Sequence, residues 1–239
     1  MDTNPVIINS IINTMRYTEA EFAPDFRAIS EVNNNGRHAA VWARRGQMVT
    51  DDLAPNKSVE VLHIKRGGIW QFEAILDKLA KKLYIMISQK NLDQRRKEIE
   101  KNGYSTHYLY ALLHRNCNLR ASMAQLELLP ILTEEQKNYR EKDCDNMLAD
   151  WADSVDEVIV AAFDYGQGMA VGATLYLFDE NYNQVESQDI SQLLVNPEKY
   201  ASDKEPSLPH NLDDESQPLV TLRISKRTQQ EQTSTNQKK

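Results

Sequence analysis

Residues 157–179 hold the feature that most constrains the fold of this chain. Two apolar runs, at 157–164 and 169–179, flank the segment YGQG. Glycines between two β-prone runs favour the tight turn of an antiparallel hairpin. The segment therefore predicts two paired strands and a sheet with an antiparallel component.

Four other segments have the β-branched and aromatic composition that is typical of strands. They are HAAVWAR at 38–44, VEVLHIK at 59–65, LYIMIS at 83–88 and LVTLRIS at 219–225. Residues 69–82 instead predict a helix, because their apolar side chains recur at helical spacing at Ile69, Phe72, Ile75, Leu76 and Leu79.

Helical patterns account for much of the remaining chain. Thr3 or Asn4 is a suitable cap for an amino-terminal helix, and Pro5 is typical of its first turn. Further predicted helices cover residues 91–103, 104–118 and 134–150. Since helices and strands follow no regular βαβ order, we predict an α+β fold. It has a mainly antiparallel mixed sheet of about five or six strands, with helices packed on it.

The chain is expected to form one large domain. With 239 residues and 41% apolar side chains it can bury a core of that size. We predict a single domain over residues 1–225, with a sub-boundary near 121–133. Prolines and charged residues at 196–218 indicate a mobile loop, and the polar composition of 226–239 indicates a disordered tail.

The sequence argues against several classes of site. It contains no dinucleotide-binding glycine fingerprint, no P-loop and no GxSxG elbow. Cys117 and Cys144 form neither a disulfide framework nor a zinc motif, which favours the cytoplasm. No apolar run is long enough to span a membrane. We therefore expect no cofactor and no metal, and favour a protein that is not an enzyme.

Charge is distributed unevenly along the chain. Residues 36–120 contain sixteen Lys and Arg against eight Asp and Glu, a net charge of +8, and four of the five histidines. Residues 121–239 contain ten basic and twenty-two acidic residues, a net charge of −12. This segregation is consistent with a nucleic-acid face, with an acidic surface for a basic partner, or with two halves that pair with each other.

His107 and His114 are the candidate catalytic residues. If one helix carries both, they lie about 20° apart around its axis and about 10.5 Å apart along it. That distance is too long for a shared metal ion, but a general acid and base acting on a phosphodiester is an alternative. Tyr104, Tyr108 and Tyr110 could offer stacking surfaces or pack in the core. The simplest alternative is a solvated helix face.

Six residues are candidates for contacts to nucleic acid: His63, Lys65, Arg66, Arg95, Arg96 and Arg115. The first three precede two glycines and a predicted helix start, where free backbone N–H groups attract phosphate. The alternatives are a strand that ends in solvated charges and a polar helix whose arginines pair with its own acidic residues.

Residues 141–157 form the most acidic segment, and Trp151 lies in its middle. We predict that Asp150, Trp151, Asp153 and Asp156 bind a protein with a basic surface, with the indole as the anchor. Alternatively, Trp151 belongs to the core. A divalent-cation site is disfavoured because the EF-hand spacing is absent.

Two functions are consistent with these patterns. The first is a non-catalytic cytosolic protein, such as an inhibitor, antitoxin, regulator or defence-system component, that binds another macromolecule through its segregated acidic and basic surfaces. The second is a protein that binds or cleaves RNA or DNA with its basic, histidine-containing middle region. Internal pairing of the two charged halves would remove the main support for both.

Overall fold

The described part of the chain forms a six-stranded sheet with helices on both faces. The computed structural model describes residues 1–29, 32, 35–66, 70–120 and 132–195. Each helix within these ranges is too short or too polar to cross a membrane.

The predicted hairpin forms one end of this sheet. Strands β4 (Glu157–Gly166) and β5 (Met169–Phe178) pair in antiparallel orientation, and β6 (Gln184–Asp189) pairs antiparallel with β5. Gln167 and Gly168 have φ angles of 52° and 81°. Positive φ at both positions matches the right-handed twist of the strands that a two-residue turn joins.

A second antiparallel unit completes the sheet. It consists of β1 (Val59–Arg66), β2 (Trp70–Asp77) and β3 (Lys82–Ser88). Strand β3 pairs in parallel with β4, so the strand order is β1-β2-β3-β4-β5-β6. Four of the five pairings are antiparallel, which confirms the predicted α+β class with a mainly antiparallel mixed sheet.

Two groups of helices bury separate cores on the two faces of the sheet. On the face called the α1–α3 face lie α1 (Pro5–Arg16), α3 (Arg37–Leu53) and α7 (Gln192–Val195), with α2 (Glu19–Ile29) against α3. On the α4–α6 face lie α4 (Gln89–Asn102), α5 (Tyr108–Leu112), a 3₁₀ helix (Leu113–Asn116) and α6 (Glu134–Leu148), followed by a second 3₁₀ helix (Ala149–Ser154).

Residues 38–44, predicted as a strand, lie in helix α3. Val41, Arg45, Val49 and Leu53 are buried and recur every four residues, so one side of the helix meets the rest of the fold. This repeat is visible only when the pattern is followed to Leu53. The seven-residue segment alone contains too little of it, and its Val and Trp resemble a strand.

Residues 70–77, predicted as part of a helix, form strand β2. Phe72 and Leu76 face the core on the α4–α6 face, and Ile75 faces the opposite core. Because both faces of the strand are covered, its apolar residues do not alternate strictly with polar ones. Their spacing therefore imitates a helix, and pairing with β1 and β3 decides the conformation.

Local capping signals agree with the structure. Asn4 accepts a hydrogen bond from the N–H of Val6 at the start of α1. Gly103 follows α4 with a φ of 69°, which suits glycine. Thr133 and Gln136 form a capping box at the start of α6.

Some predictions fall outside the described ranges. They are the mobile loop at 196–218, the strand at 219–225, the tail at 226–239 and most of the sub-boundary near 121–133.

Asn116 connects the first 3₁₀ helix to the centre of the sheet. Its Nδ2 donates to the carbonyl oxygens of Val158 (3.0 Å) and Phe178 (2.7 Å), and its Oδ1 accepts from the N–H of Val158 (2.7 Å). These backbone groups lie where the pairing of β4 with β5 ends. The fully buried amide thereby satisfies polar groups that would otherwise lack partners.

Replacing Asn116 by Ala should lower the free energy of unfolding by about 3 kcal/mol, because buried backbone groups lose their partners. The exposed neighbour Asn118 provides a control, and Asn118→Ala should change stability by about 0.5 kcal/mol or less. Urea denaturation followed by circular dichroism measures both values. Equal stability of the two variants would contradict the role of the Asn116 amide.

Candidate functional site

The β1–β2 hairpin divides the candidate residues of the segment HIKR between two faces of the sheet. Arg66 shares the side of Leu62 and Ile64, which pack in the α4–α6 core, while His63 and Lys65 point to the α1–α3 face. The helix start predicted after this segment is wrong, because residues 70–77 form a strand. One anion site built from all three charged residues is therefore not formed.

His63 pairs with Glu73 across strands β1 and β2. The two residues are direct cross-strand neighbours, and Nδ1 of His63 lies 3.6 Å from Oε1 of Glu73. The Glu73 side chain is only 9% exposed, whereas that of His63 is 50% exposed. Burial raises the pKa of the Glu73 carboxyl, and His63 opposes this rise.

Gly46 makes room for the Glu73 carboxylate beneath helix α3. A methyl group built on Gly46 would lie 2.6 Å from Cδ of Glu73 and 2.7 Å from both carboxylate oxygens. Any larger residue at position 46 would therefore displace the carboxylate. Glycine in the middle of a helix is itself unfavourable by about 1 kcal/mol relative to alanine.

Arg66, Arg95 and His107 form a second cluster on the α4–α6 face. The guanidinium charges of Arg95 and Arg66 both act on the His107 imidazole. Each arginine is held by a carboxylate: Arg66 Nη2 lies 2.9 Å from Oδ2 of Asp143, and Arg95 Nη1 lies 2.5 Å from Oε2 of Glu98. Three separate elements, β1, α4 and the start of α5, thus supply one group of side chains.

Trp70 is the aromatic residue beside this cluster. It is the cross-strand partner of Arg66. Its ring centre lies 5.2 Å from that of Phe72 and 5.1 Å from that of Tyr108, while 46% of the residue stays exposed. His107 packs on the same Tyr108 ring at 4.2 Å. The core therefore supports an indole that presents its remaining surface to solvent.

His107 serves as the amino-terminal cap of α5. Its Nδ1 accepts a hydrogen bond of 3.3 Å from the N–H of Leu109, so the neutral ring carries its proton on Nε2. Burial, together with the charges of Arg95 and Arg66, lowers the pKa of His107 to about 4. At neutral pH this side chain is therefore a hydrogen-bond donor and a weak base.

His114 has different neighbours from His107. Helix α5 ends at Leu112, and His114 lies in the 3₁₀ helix that follows. Its Nδ1 is 3.8 Å from Oε2 of Glu180, and burial together with Arg140 lowers its pKa. The expectation that one long helix places both histidines on the same side is wrong, because α5 has only five residues.

All three nearby tyrosines are packing residues. Tyr108 and Tyr110 are buried in the α4–α6 core, and Tyr104 packs against it. They are therefore not the exposed stacking surfaces that were one of the two sequence-based alternatives. Arg96 places its guanidinium 5.7 Å from the centre of the Phe178 ring.

Much of the acidic segment is paired within the fold. The pairs are Arg66–Asp143 (2.9 Å), Arg115–Asp145 (2.7 Å), Lys81–Asp156 (3.6 Å) and Lys82–Glu157 (3.5 Å). Trp151 packs against the α4–α6 core, with Nζ of Lys78 6.0 Å from its ring centre. Asp150 and Asp153 are exposed. In each of the four pairs, a basic residue from 36–120 contacts an acidic residue from 141–157. These contacts agree with the alternative in which the two charged halves pair with each other.

Within the described ranges, no group of three His, Cys, Asp or Glu side chains is arranged to hold a metal ion.

The sequence patterns do not identify Glu73 as the partner of His63, and they place Trp70 on a helix. If residues 70–77 are read as a strand, side chains alternate between the two faces. When that strand pairs with β1 in the observed register, Glu73 lies on the side of His63 and Trp70 on the side of Arg66.

The described residues define an α+β protein whose β1–β2 hairpin carries two clusters of polar and aromatic side chains. Residues 4–238 match the family of unknown function DUF5986, and the chain belongs to that family. No curated protein and no solved structure matches it. The side chains at the hairpin are therefore the basis for inferring function.

His107 should titrate near pH 4 in the folded protein, against a usual value of 6.5. Because the unfolded chain then binds this proton more tightly, stability is retained above about pH 6.5 and falls as the pH decreases toward 4. His107→Asn keeps a capping side chain but removes the titration, so its stability should decrease less over that interval. NMR titration and urea denaturation measure the two effects; a His107 pKa near 6.5 would contradict the effect of partial burial and of the two arginines.

Proposed function

We propose that this protein binds single-stranded nucleic acid at the end of the β1–β2 hairpin. One observation carries the proposal: the exposed Trp70 indole lies beside Arg66, whose neighbours Arg95 and His107 complete a group of hydrogen-bond donors. Aromatic stacking on bases combined with donors to phosphate is how many proteins bind single strands.

Trp70 is suited to stacking because the fold supports the ring before a ligand arrives. Contacts with Phe72 and Tyr108 restrain the indole while nearly half of the residue stays exposed. A restrained ring loses little side-chain entropy on binding. Paired bases hide their faces in a duplex, so a single strand is the form that such a ring selects.

The donors beside Trp70 suit a phosphate group. The carboxylates of Asp143 and Glu98 orient Arg66 and Arg95, and a guanidinium has five N–H groups, more than one carboxylate can occupy. The Nε2–H of the neutral His107 adds a donor without charge. Since both arginines are already paired, stacking should contribute more to affinity than net charge does.

Trp70→Ala should weaken binding to a short single-stranded oligonucleotide by about 10-fold or more, because one base loses its stacking partner. Trp70→Phe should retain most of the affinity. Leu79→Ala is the matched control, since Leu79 is 84% exposed on the turn between β2 and β3. Fluorescence anisotropy measures all three. Equal affinities for wild type and Trp70→Ala would overturn the proposal.

A protein partner with a basic surface is the second candidate, and the exposed Asp150 and Asp153 favour it. Such a partner would be bound without catalysis, as expected of an inhibitor, antitoxin, regulator or defence-system component. The free thiols of Cys117 and Cys144 support a cytoplasmic setting. Trp151 is a weaker anchor than the sequence suggests, since it packs on the core.

Reversing the charge of Asp150 and Asp153 to Lys should release a basic protein that copurifies with the wild type. The expected cause is repulsion at an interface formed by opposite charges. Asp51→Lys with Asp52→Lys, at exposed positions of α3, is the control. Affinity purification followed by mass spectrometry compares the proteins retained. If the same proteins stay bound to both double variants, this acidic surface does not hold them.

A further inference from the structure

We infer that His63 and Glu73 form a proton-transfer pair and that its substrate is RNA, with His63 as the base and Glu73 as the residue that positions it. This inference rests on the proposed binding of a single strand at the same hairpin. It assigns a chemical activity to the opposite face of β1 and β2 from Trp70.

The geometry of the pair suits a base. Nδ1 of His63 faces the Glu73 carboxylate at 3.6 Å, so a proton on Nδ1 is favoured and the lone pair is left on Nε2. The imidazole is half exposed, whereas the carboxylate is almost fully buried. His107 has the reverse arrangement, with Nδ1 accepting a hydrogen bond and a pKa lowered to about 4. His63 is thus the better oriented base of the two.

The fold accepts two unfavourable features to hold this pair. It buries the Glu73 carboxylate, and the side chain paired with it among the described residues is a histidine rather than a Lys or Arg. It also places Gly46 in the middle of α3, where the carboxylate needs the space. Even a fully charged cross-strand pair near the surface would contribute only about 1 kcal/mol or less. Stability alone therefore gives no reason for this arrangement, whereas the positioning of a base does.

The surroundings of His63 favour a phosphodiester. Lys65 lies on the same face of β1, about 7 Å further along the strand, and is exposed. Its ammonium group can stabilise negative charge that develops on phosphate oxygens. Trp70 and Arg66 lie at the end of the same hairpin. Single-strand sites commonly span about four or more nucleotides, and β1 is an edge strand, so one bound strand can pass around it from one face to the other.

RNA carries its own nucleophile, so the protein need supply only a base and charge stabilisation. Nε2 of His63 takes the proton of a 2′-hydroxyl, whose oxygen attacks the adjacent phosphorus. The bond from phosphorus to the 5′-oxygen breaks, and that oxygen leaves with the electron pair and takes a proton from water. The imidazolium returns its proton to the hydroxide so formed. The products are a 2′,3′-cyclic phosphate and a 5′-hydroxyl.

The test uses the full-length protein with a labelled single-stranded RNA and a DNA of the same sequence. Native gels report binding, and denaturing gels report cleavage. We expect both strands to be bound and only the RNA to be cleaved, because DNA lacks the 2′-hydroxyl. His63→Ala should slow cleavage by at least about 100-fold without changing affinity for the DNA, and added imidazole should restore part of the rate.

Glu73→Gln separates positioning from stability. The amide fits the same space and removes a buried charge, so the variant should unfold at the same or a higher urea concentration. Cleavage should nevertheless decrease by about 10-fold or more, because the imidazole loses its fixed tautomer. Nitrogen-15 NMR should show the His63 proton on Nδ1 in the wild type and a tautomer mixture in the variant. His38→Ala, at an exposed histidine of α3, should leave cleavage unchanged.

Each other outcome overturns a defined part of the inference. Binding of RNA without cleavage would overturn the activity and leave the proposed binding function intact. Cleavage that survives His63→Ala would overturn the assignment of the base. Full activity of Glu73→Gln would overturn the positioning role. Binding of neither strand would overturn the proposed function, and this inference with it.

Discussion

The parallel pairing of β3 with β4 is the constraint on which the rest of the fold depends. Residues 82–88 pair in parallel with residues 157–163, so the intervening chain must return to the same end of the sheet. Helices α4, α5 and α6 belong to that return and cover one face. The opposite face is left to α1 and α3, and two antiparallel units become one sheet with two cores.

This return also brings together charges that are far apart in the sequence. Helix α6 carries Asp143 and Asp145, which reach Arg66 on β1 and Arg115 in the first 3₁₀ helix. The uneven charge along the chain therefore reflects, in these contacts, adjacent layers of one fold. The proposed binding and cleavage accordingly depend on the exposed Trp70 ring and on the oriented imidazoles of His63 on β1 and His107 at the start of α5, not on long-range attraction.

The candidate site was only partly predictable from the sequence. His63, Lys65, Arg66 and Arg95 stand out because charged and titratable side chains follow apolar segments. Their grouping does not, because Arg66 and His63 diverge to opposite faces of one strand. Glu73 becomes the partner of His63 only if residues 70–77 form a strand, and their apolar spacing predicts the wrong period. When a strand is mistaken for a helix, every side chain in the segment is assigned the wrong neighbours.

By itself the sequence determined the elements whose signals are local: the β4–β5 hairpin, the strand β3 and the capped helices α1, α4 and α6. Turn and capping residues act on their own neighbours, so their effect does not depend on distant segments. Tertiary structure decided the strand at 70–77, where pairing and burial on both faces outweigh local preference, and it selected helix over strand at 38–44, where the short local pattern favours a strand. It also decided that α3 covers Glu73 at Gly46, because that contact joins segments whose approach only the packed core defines.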